Sequence, residues 1–187
     1  METLLGIAVG IGLSAACGFR IFVPLLIMNL AALSGLLHFS PSFEWIGSYY
    51  ATVAFSTATV FEISAYYIPW LDHILDVIAS PAAVVAGTVA TASMVTDVSP
   101  FLKWTLAIIA GGGVAGIVQG STVALRAKSS ALTGGAGNAL VSTAELGGSI
   151  LTSVLAILVP IVCLVLIALL CIFTIWKAGR LFFGRMK

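Results

Sequence analysis

The chain has 187 residues, of which 60% are hydrophobic and only 8% are charged, and its formal net charge is +1. A soluble domain carries about 25% charged residues, so this composition excludes an ordinary soluble globular protein. The length suffices for about six helical crossings, because each crossing takes about 20 apolar residues. We therefore predict an all-α integral membrane protein in which residues 1–187 form a single transmembrane domain.

The first apolar segment, residues 3–37, is too long for one straight crossing. As a single helix it would be about 50 Å long, whereas the hydrocarbon core of a bilayer is about 30 Å thick. Arg20 and Pro24 interrupt the segment, and proline lacks the backbone donor that an α-helix needs. We expect a helix break or a re-entrant turn at this point, buried in the protein.

The middle of the first half contains one acidic residue inside an apolar run. The run extends from Ser48 to Ile68 and includes Glu62. It is followed by WLDHILD (70–76), whose polar and apolar residues alternate with a helical period, a pattern typical of an interfacial amphipathic turn. The next apolar run, residues 81–96, is short for a full crossing.

The segment Trp104–Leu125 is the clearest transmembrane helix in the sequence. Within it Gly112, Gly116 and Gly120 recur every four residues. Such a stripe of small residues lets another helix backbone approach closely. It predicts internal helix packing, and the alternative is the seam of a homodimer.

A polar stretch, ALRAKSSALTGGAGNALVSTAELGG (124–148), separates two apolar runs. Its glycines weaken a helix, and non-helical backbone at membrane depth must be buried or must line a cavity. Free backbone N–H groups beside an arginine favour an anion. We therefore expect a buried helix break over residues 129–138, whose candidate substrate-binding side chains are Ser129, Ser130, Thr133 and Asn138. The alternative is an ordinary cytoplasmic loop.

The C-terminal region predicts the orientation of the chain. An apolar run from Ile150 to Trp176, with Pro160 at its middle, precedes the basic tail Lys177, Arg180, Arg185 and Lys187. Basic residues beside a transmembrane helix are retained in the cytoplasm. We expect a cytoplasmic C-terminus, with the N-terminus on the same side.

The two halves of the chain share an order of features. In residues 1–97 an apolar helix ends at Arg20, and a broken segment and a helix with Glu62 follow. In residues 98–187 the same order leads from Arg126 to Glu145. We interpret these halves as two repeats, inverted in the membrane if each crosses an odd number of times, as in many secondary transporters.

Arg20, Glu62, Arg126 and Glu145 are the ionisable residues nearest the predicted hydrophobic depth. Each would cost about 2.5 to 3.5 kcal/mol alone at a helix centre. We predict that the four form one charge-balanced cluster that binds substrate. The alternative is a set of buried Arg–Glu bridges that only fix helix packing.

The sequence contains little that supports catalysis. A serine nucleophile needs a base within hydrogen-bond reach, and His38 and His73 lie in predicted loops or interfaces. HExxH, metal-ligand spacings and a P-loop are absent. We therefore expect no enzymatic activity, no bound metal and no cofactor.

Four segments carry a resemblance to a known family. They are GFRIFVPLL, FEISAYYIPWLDHILD, SPAAVVAGT and RAKSSALTGGAGNALVSTAE. Together they resemble the bacterial family catalogued as domain of unknown function 4126, over nearly the whole chain apart from the tail after Trp176. The resemblance implies a small multi-pass protein of the bacterial inner membrane and implies no known activity.

These observations together predict a transporter or channel-like permease. Its central Arg/Glu site would bind a small anion or a lipid phosphate head group. We expect membrane lipid and a second copy of the chain as partners, and no nucleic acid. The alternative is a structural or assembly membrane protein whose buried charges only pack helices.

Overall fold

The structure is a computed structural model that describes the backbone of residues 2–183 and the side chains of residues 3–68 and 75–180. Within these residues the chain is helical and forms no β-strand. The α-helices are α1 (Glu2–Phe19), α2 (Phe22–Leu33), α3 (Tyr49–Ala65), α4 (Pro69–Met94), α5 (Pro100–Leu106), α6 (Gly113–Thr133), α7 (Asn138–Leu158) and α8 (Pro160–Phe183). A 3₁₀ helix (Pro41–Gly47) precedes α3, and a π-helical segment (Ala107–Gly112) joins α5 to α6.

Four helical segments of the described chain are long and apolar enough to cross a membrane. They are Leu75–Met94, Pro100–Thr133, Asn138–Leu158 and Pro160–Arg180. Two shorter apolar helices, Thr3–Phe19 and Phe22–Leu33, precede them. The chain is thus an all-helical, multi-pass membrane protein, and the number of six membrane segments stays a prediction.

Helix α1 occupies the centre of the bundle and contacts α4, α6, α7 and α8. Glycines allow this close approach: a Cβ added at Gly10 would lie 2.9 Å from the Cα of Thr91, and one at Gly18 would lie 2.6 Å from the carbonyl oxygen of Ala115. Between them, Leu13 is fully buried. Backbone proximity therefore holds α1 against its neighbours, as is usual where lipid supplies no hydrophobic driving force.

The predicted break near Arg20 is confirmed, and it is buried. Helix α1 ends at Phe19 and α2 begins at Phe22, while Arg20 between them is buried. Pro24 is the third residue of α2, where the missing N–H would have no intrahelical partner. The proline is therefore compatible with the start of α2 and with a chain that turns at Arg20.

The predicted break over residues 129–138 is wrong in extent and in burial. Residues 129–133 continue α6, and only residues 134–137 form a turn before α7 begins at Asn138. Gly134, with a φ of 61°, ends α6 in the left-handed conformation that glycine adopts readily. Two of the four turn residues are exposed and the other two are half-buried, so the turn is not a buried re-entrant segment.

Pro81 and Pro160 have different effects on the helices in which they lie. The run 81–96 was expected to be short for a crossing, but α4 continues through Pro81 and extends from Pro69 to Met94. Pro160 instead separates α7 from α8. The interfacial pattern at 70–76 lies within α4, and the side chains of its residues 70–74 fall outside the described residues.

The helix directions place the two termini at opposite ends of the bundle. Gly6 lies against Met94 and Gly10 against Thr91, so α4 runs antiparallel to α1. Farther along α1, Gly12 lies against Cys163 of α8. Helix α8 runs parallel to α1. Glu2 and Phe183 therefore lie at opposite ends of the bundle, and the side of the membrane on which each terminus lies stays a prediction.

The glycine stripe begins at Gly112 in the π-helical segment and continues in α6, and it packs inside the protein at two of its three positions. A Cβ at Gly112 would meet the Thr88 hydroxyl at 2.7 Å, and one at Gly116 would meet a Val84 methyl group at 3.3 Å. Gly120 has nothing within 4 Å. The internal packing of α6 on α4 is confirmed for Gly112 and Gly116, whereas the homodimer seam stays a prediction.

Candidate functional site

The α6–α7 hairpin brings two of the predicted charges together. Arg126 lies seven residues before the end of α6 at Thr133, and Glu145 lies seven residues after the start of α7 at Asn138. Residues equally distant from a helical turn face each other when the two helices are antiparallel. The short turn at 134–137 therefore sets the register of this pair.

The Arg126 guanidinium is held by two carboxylates. Its Nε donates to Glu145 Oε1 at 2.8 Å, and its Nη2 donates to Glu145 Oε2, so the pair is bidentate. Its Nη1 lies 3.3 Å from Asp76 Oδ1 on α4. The Arg126 and Glu145 side chains are only 3% and 4% exposed, so each needs the other to offset its desolvation.

Arg20 joins this group from the end of α1, but its hydrogen bonding is incomplete. Its Nη2 donates to the carbonyl oxygen of Ser142 at 3.0 Å and lies 3.6 Å from Glu145 Oε2. Arg20 is 2% exposed, yet its Nε and Nη1 have no hydrogen-bond partner among the described residues. Buried donors of this kind call for an acceptor such as water or a bound anion.

Tyr66, in the turn between α3 and α4, contacts both arginines. The Cζ atoms of Arg20 and Arg126 lie 3.9 and 4.0 Å from the centroid of its ring, well within the range of cation–π attraction. Burial raises the pKa of the Tyr66 phenol, so the ring stays neutral near pH 7. The tyrosine thereby fixes the two guanidinium groups without adding a charge.

Glu62 has a different partner from the one predicted. Its Oε1 accepts from the Ile21 N–H at 2.7 Å, and its Oε2 accepts from the Phe22 N–H at 3.0 Å. These are free donors at the N-terminus of α2, where a carboxylate is favourable. The cluster thus comprises Arg20, Arg126, Glu145, Asp76 and Tyr66, with Glu62 beside it as the cap of α2.

The four predicted hydroxyl and amide residues bond mainly to one another. Asn138 Nδ2 donates to Ser130 Oγ at 2.9 Å, and Thr133 Oγ1 donates to the Ser129 carbonyl oxygen at 2.8 Å. The Gly137 N–H donates to Thr133 Oγ1 at 2.8 Å. These contacts close the α6–α7 turn, and the hydrogen bonds and ion pairs given for the described residues do not join the four side chains to the arginine cluster.

Three members of the site were missed by sequence reasoning. Asp76 was assigned to a solvated amphipathic face, and Tyr66 and Ser142 were not singled out. Asp76 had one usable signal, because it follows the other acidic residue of WLDHILD on the same helical face. Ser142 contributes its backbone carbonyl, which no side-chain pattern indicates.

The cluster lies near one end of the bundle. The 27 residues from Pro100 to Arg126 span about 39 Å of helix, longer than a hydrocarbon core of about 30 Å. Asp76 lies close to the start of α4, and Arg20 follows the end of α1. We refer to this end, defined by Arg20, Arg126 and Asp76, as the arginine end.

Comparison with known proteins identifies the family of the chain. The family described as Domain of unknown function (DUF4126) matches residues 7–180. The chain belongs to this family. No curated protein and no solved structure gives a match.

Proposed function

We propose that the protein is a small permease of the bacterial inner membrane whose arginine cluster binds an anionic group. The observation that carries the proposal is Arg20, which is buried while its Nε and Nη1 lack a partner among the described residues. Leaving a buried donor unpaired costs about 1 to 3 kcal/mol, and more for a charged group. An anion at Arg20 removes this cost.

The charges of the site imply that a proton accompanies the anion. Among the described residues, Arg20 and Arg126 form ion pairs with Asp76 and Glu145, and Glu62 lies beside them as a third carboxylate. An added anion would leave an uncompensated negative charge in a medium of low dielectric constant. Glu62 is the best proton acceptor, because it forms none of the ion pairs of the described residues. The proposed activity is therefore anion movement coupled to protons.

The distribution of basic residues supports a cytoplasmic arginine end. Arg126 and Lys128 of α6 lie towards this end, and so do Lys177 and Arg180 of α8, which runs parallel to α1. Lys103, near the start of α5, lies towards the opposite end. Basic residues accumulate on the cytoplasmic side of membrane helices, so the C-terminus is cytoplasmic and the N-terminus is external in this proposal.

A second candidate function is a structural or assembly protein. The middle of the bundle is closely packed: a Cβ at Gly87 would lie 2.5 Å from the Ser14 hydroxyl and 2.6 Å from Ala115 Cβ. The Ser14 hydroxyl also donates to the carbonyl oxygen of Gly111 at 2.6 Å. Dense packing of this kind favours a rigid scaffold in which the charges only join helices.

Proton flux into liposomes separates the two candidates. The purified protein is reconstituted with a pH-sensitive dye in the lumen, and phosphate, glycerol phosphate or acetate is added outside. We expect luminal acidification above that of protein-free liposomes with at least one anion, and a rate at least tenfold lower for Glu145→Gln. Glu44→Gln, an exposed carboxylate in the 3₁₀ helix, is the matched control. Equal rates for the wild type and protein-free liposomes would favour the scaffold.

A further inference from the structure

An apolar groove lies beside the arginine cluster, between α3 and α4. Its volume is about 430 Å³, and of its eleven lining residues only Glu62 and Tyr66 are polar. A groove of this size suits part of a ligand of moderate size. A small inorganic anion would gain nothing from such a lining, so the groove needs an occupant with an apolar part.

The groove runs from the arginine end towards the middle of the bundle. On α4 it extends from Leu75 to Ala82, and along α3 it extends back from Tyr66 to Ala58. Each of these two stretches corresponds to about 10 to 12 Å of helix, which is the length of the groove. Its polar residues lie at or near the arginine end, where lipid head groups are placed if the helices cross a bilayer, and its apolar walls lead inwards.

The outer edges of the groove are apolar and exposed. Phe61 on α3 is 71% exposed, and Ile78 on α4 is 61% exposed. Ile78 lies within the candidate membrane span Leu75–Met94, where an exposed apolar surface would face the acyl chains of the bilayer. The groove therefore opens sideways towards lipid, and a membrane lipid enters it without passing through water.

One side chain, that of Tyr66, separates the polar end of the groove from the N–H donors of Arg20 that lack a partner among the described residues. Tyr66 lines the groove, and its ring centroid lies 3.9 Å from the Cζ of Arg20. Ile21, the residue after Arg20, lines it as well. The Nε and Nη1 donors of Arg20, without a partner among the described side chains, match the acceptor oxygens of a phosphate group.

We propose that this groove binds one acyl chain of an anionic phospholipid of the surrounding membrane, while the lipid's phosphate group accepts hydrogen bonds from Arg20. The proposal rests on the proposed function and names its substrate class. A zwitterionic lipid fits the apolar lining equally well, but its cationic group would oppose the two arginines. A lipid without a charged phosphate would leave the Arg20 donors unpaired.

The wild-type protein provides the first test. Spin-labelled phosphatidic acid and spin-labelled phosphatidylcholine, with the label at the same chain position, are added separately to proteoliposomes. We expect a motionally restricted fraction several-fold larger for phosphatidic acid. Unlabelled phosphatidic acid should reduce this fraction, and an equal concentration of inorganic phosphate should not. Equal fractions for the two lipids, or full displacement by inorganic phosphate, would overturn the proposal.

A pair of matched variants tests the groove itself. Ala82→Phe places a ring in the groove, whereas Ala168→Phe adds the same ring on the exposed face of α8. We expect the restricted fraction of phosphatidic acid to fall at least fivefold in Ala82→Phe and to stay unchanged in Ala168→Phe. An unchanged fraction in folded Ala82→Phe would exclude the groove, and if that variant does not fold, the wild-type comparison decides.

The outcomes of this test and of the flux assay are independent. If the small anions drive proton flux in both phenylalanine variants and phosphatidic acid shows no preference over phosphatidylcholine, the permease stands and the lipid proposal fails. If phosphatidic acid is retained specifically while no anion drives flux, the lipid site stands and the permease fails.

Discussion

The Arg126–Glu145 pair offers the sharpest test of whether the buried charges serve packing or function. Glu145→Gln removes a carboxylate that bonds Arg126 at two positions and lies 3.6 Å from Arg20. Breaking a buried pair by changing one partner costs about 3 to 5 kcal/mol. Asp76 stays 3.3 Å from Arg126, so we expect a loss of about 3 kcal/mol in the free energy of unfolding.

The complementary changes complete a double-mutant cycle. Arg126→Met leaves Glu145 with Arg20 as its remaining cation, and we again expect a loss of about 3 kcal/mol. In the variant Arg126→Met/Glu145→Leu both members of the bidentate pair are replaced, and Arg20 and Asp76 each lose one ion-pair partner. We expect this variant to lose no more than either single variant, which corresponds to a coupling energy of about 3 kcal/mol.

The free energy of unfolding and the proton flux are both measured on the same purified preparations of each variant. Reversible unfolding in mixed micelles gives the free energies, and proton flux in liposomes gives the activity. The double variant should be no less stable than either single variant but should show no flux, because apolar residues replace a packing pair but not a binding site. Losses that add within about 0.5 kcal/mol would refute the coupling. A double variant that is no less stable than the single variants and that also has the flux of the wild type would mean that the charges only hold helices together.

Three further predictions test the surroundings of the site. Glu62→Ala removes two charge-assisted hydrogen bonds from the start of α2 and should lower the free energy of unfolding by about 2 to 3 kcal/mol, with faster amide exchange at Ile21. Gly18→Ala would place a Cβ 2.6 Å from a backbone oxygen and should cost about 1 to 3 kcal/mol. Gly120→Ala, at an open position, should change unfolding by less than about 1 kcal/mol, and similar losses in the two glycine variants would contradict the packing of α1. A cysteine introduced by Met186→Cys should react with an impermeant maleimide only after permeabilisation, and labelling in intact cells would contradict a cytoplasmic C-terminus.

The sequence predicts which charges are buried better than it predicts their partners. Arg20, Arg126 and Glu145 stand out because a charge inside an apolar run is costly unless it is paired. The pairing depends on helix rotation and packing, which hydropathy does not report. Glu62 therefore caps α2 instead of joining an ion pair, and Asp76 takes the place beside Arg126.

The fold shows the same division between local signals and packing. Arg20 and Pro24 correctly predict the end of α1, because proline acts on the local backbone and a charge is costly inside an apolar helix. The glycines at 134, 135 and 137 indicate a longer break than the structure contains. Residues 129–133 remain helical, in a stretch that includes good helix formers such as Ala127 and Leu132. The two halves also differ in layout, because Arg20 follows a helix end whereas Arg126 lies within α6. The inverted repeat over residues 1–97 and 98–187 stays a prediction.

The arginine cluster lies near one end of the bundle, and this location decides which of its features support a binding site. A charge costs most at the centre of a bilayer and much less near its surface, and the long helix from Pro100 places Arg126 near the end of a crossing. The presence of buried charges is therefore weaker support for a binding site than it would be at the midplane. Arg126 adds little, because Glu145 and Asp76 already bind it. Arg20 is different, because no neighbour among the described residues accepts a hydrogen bond from its Nε or its Nη1. A scaffold would gain stability from an acceptor at this position, whereas a binding site keeps the position for its ligand.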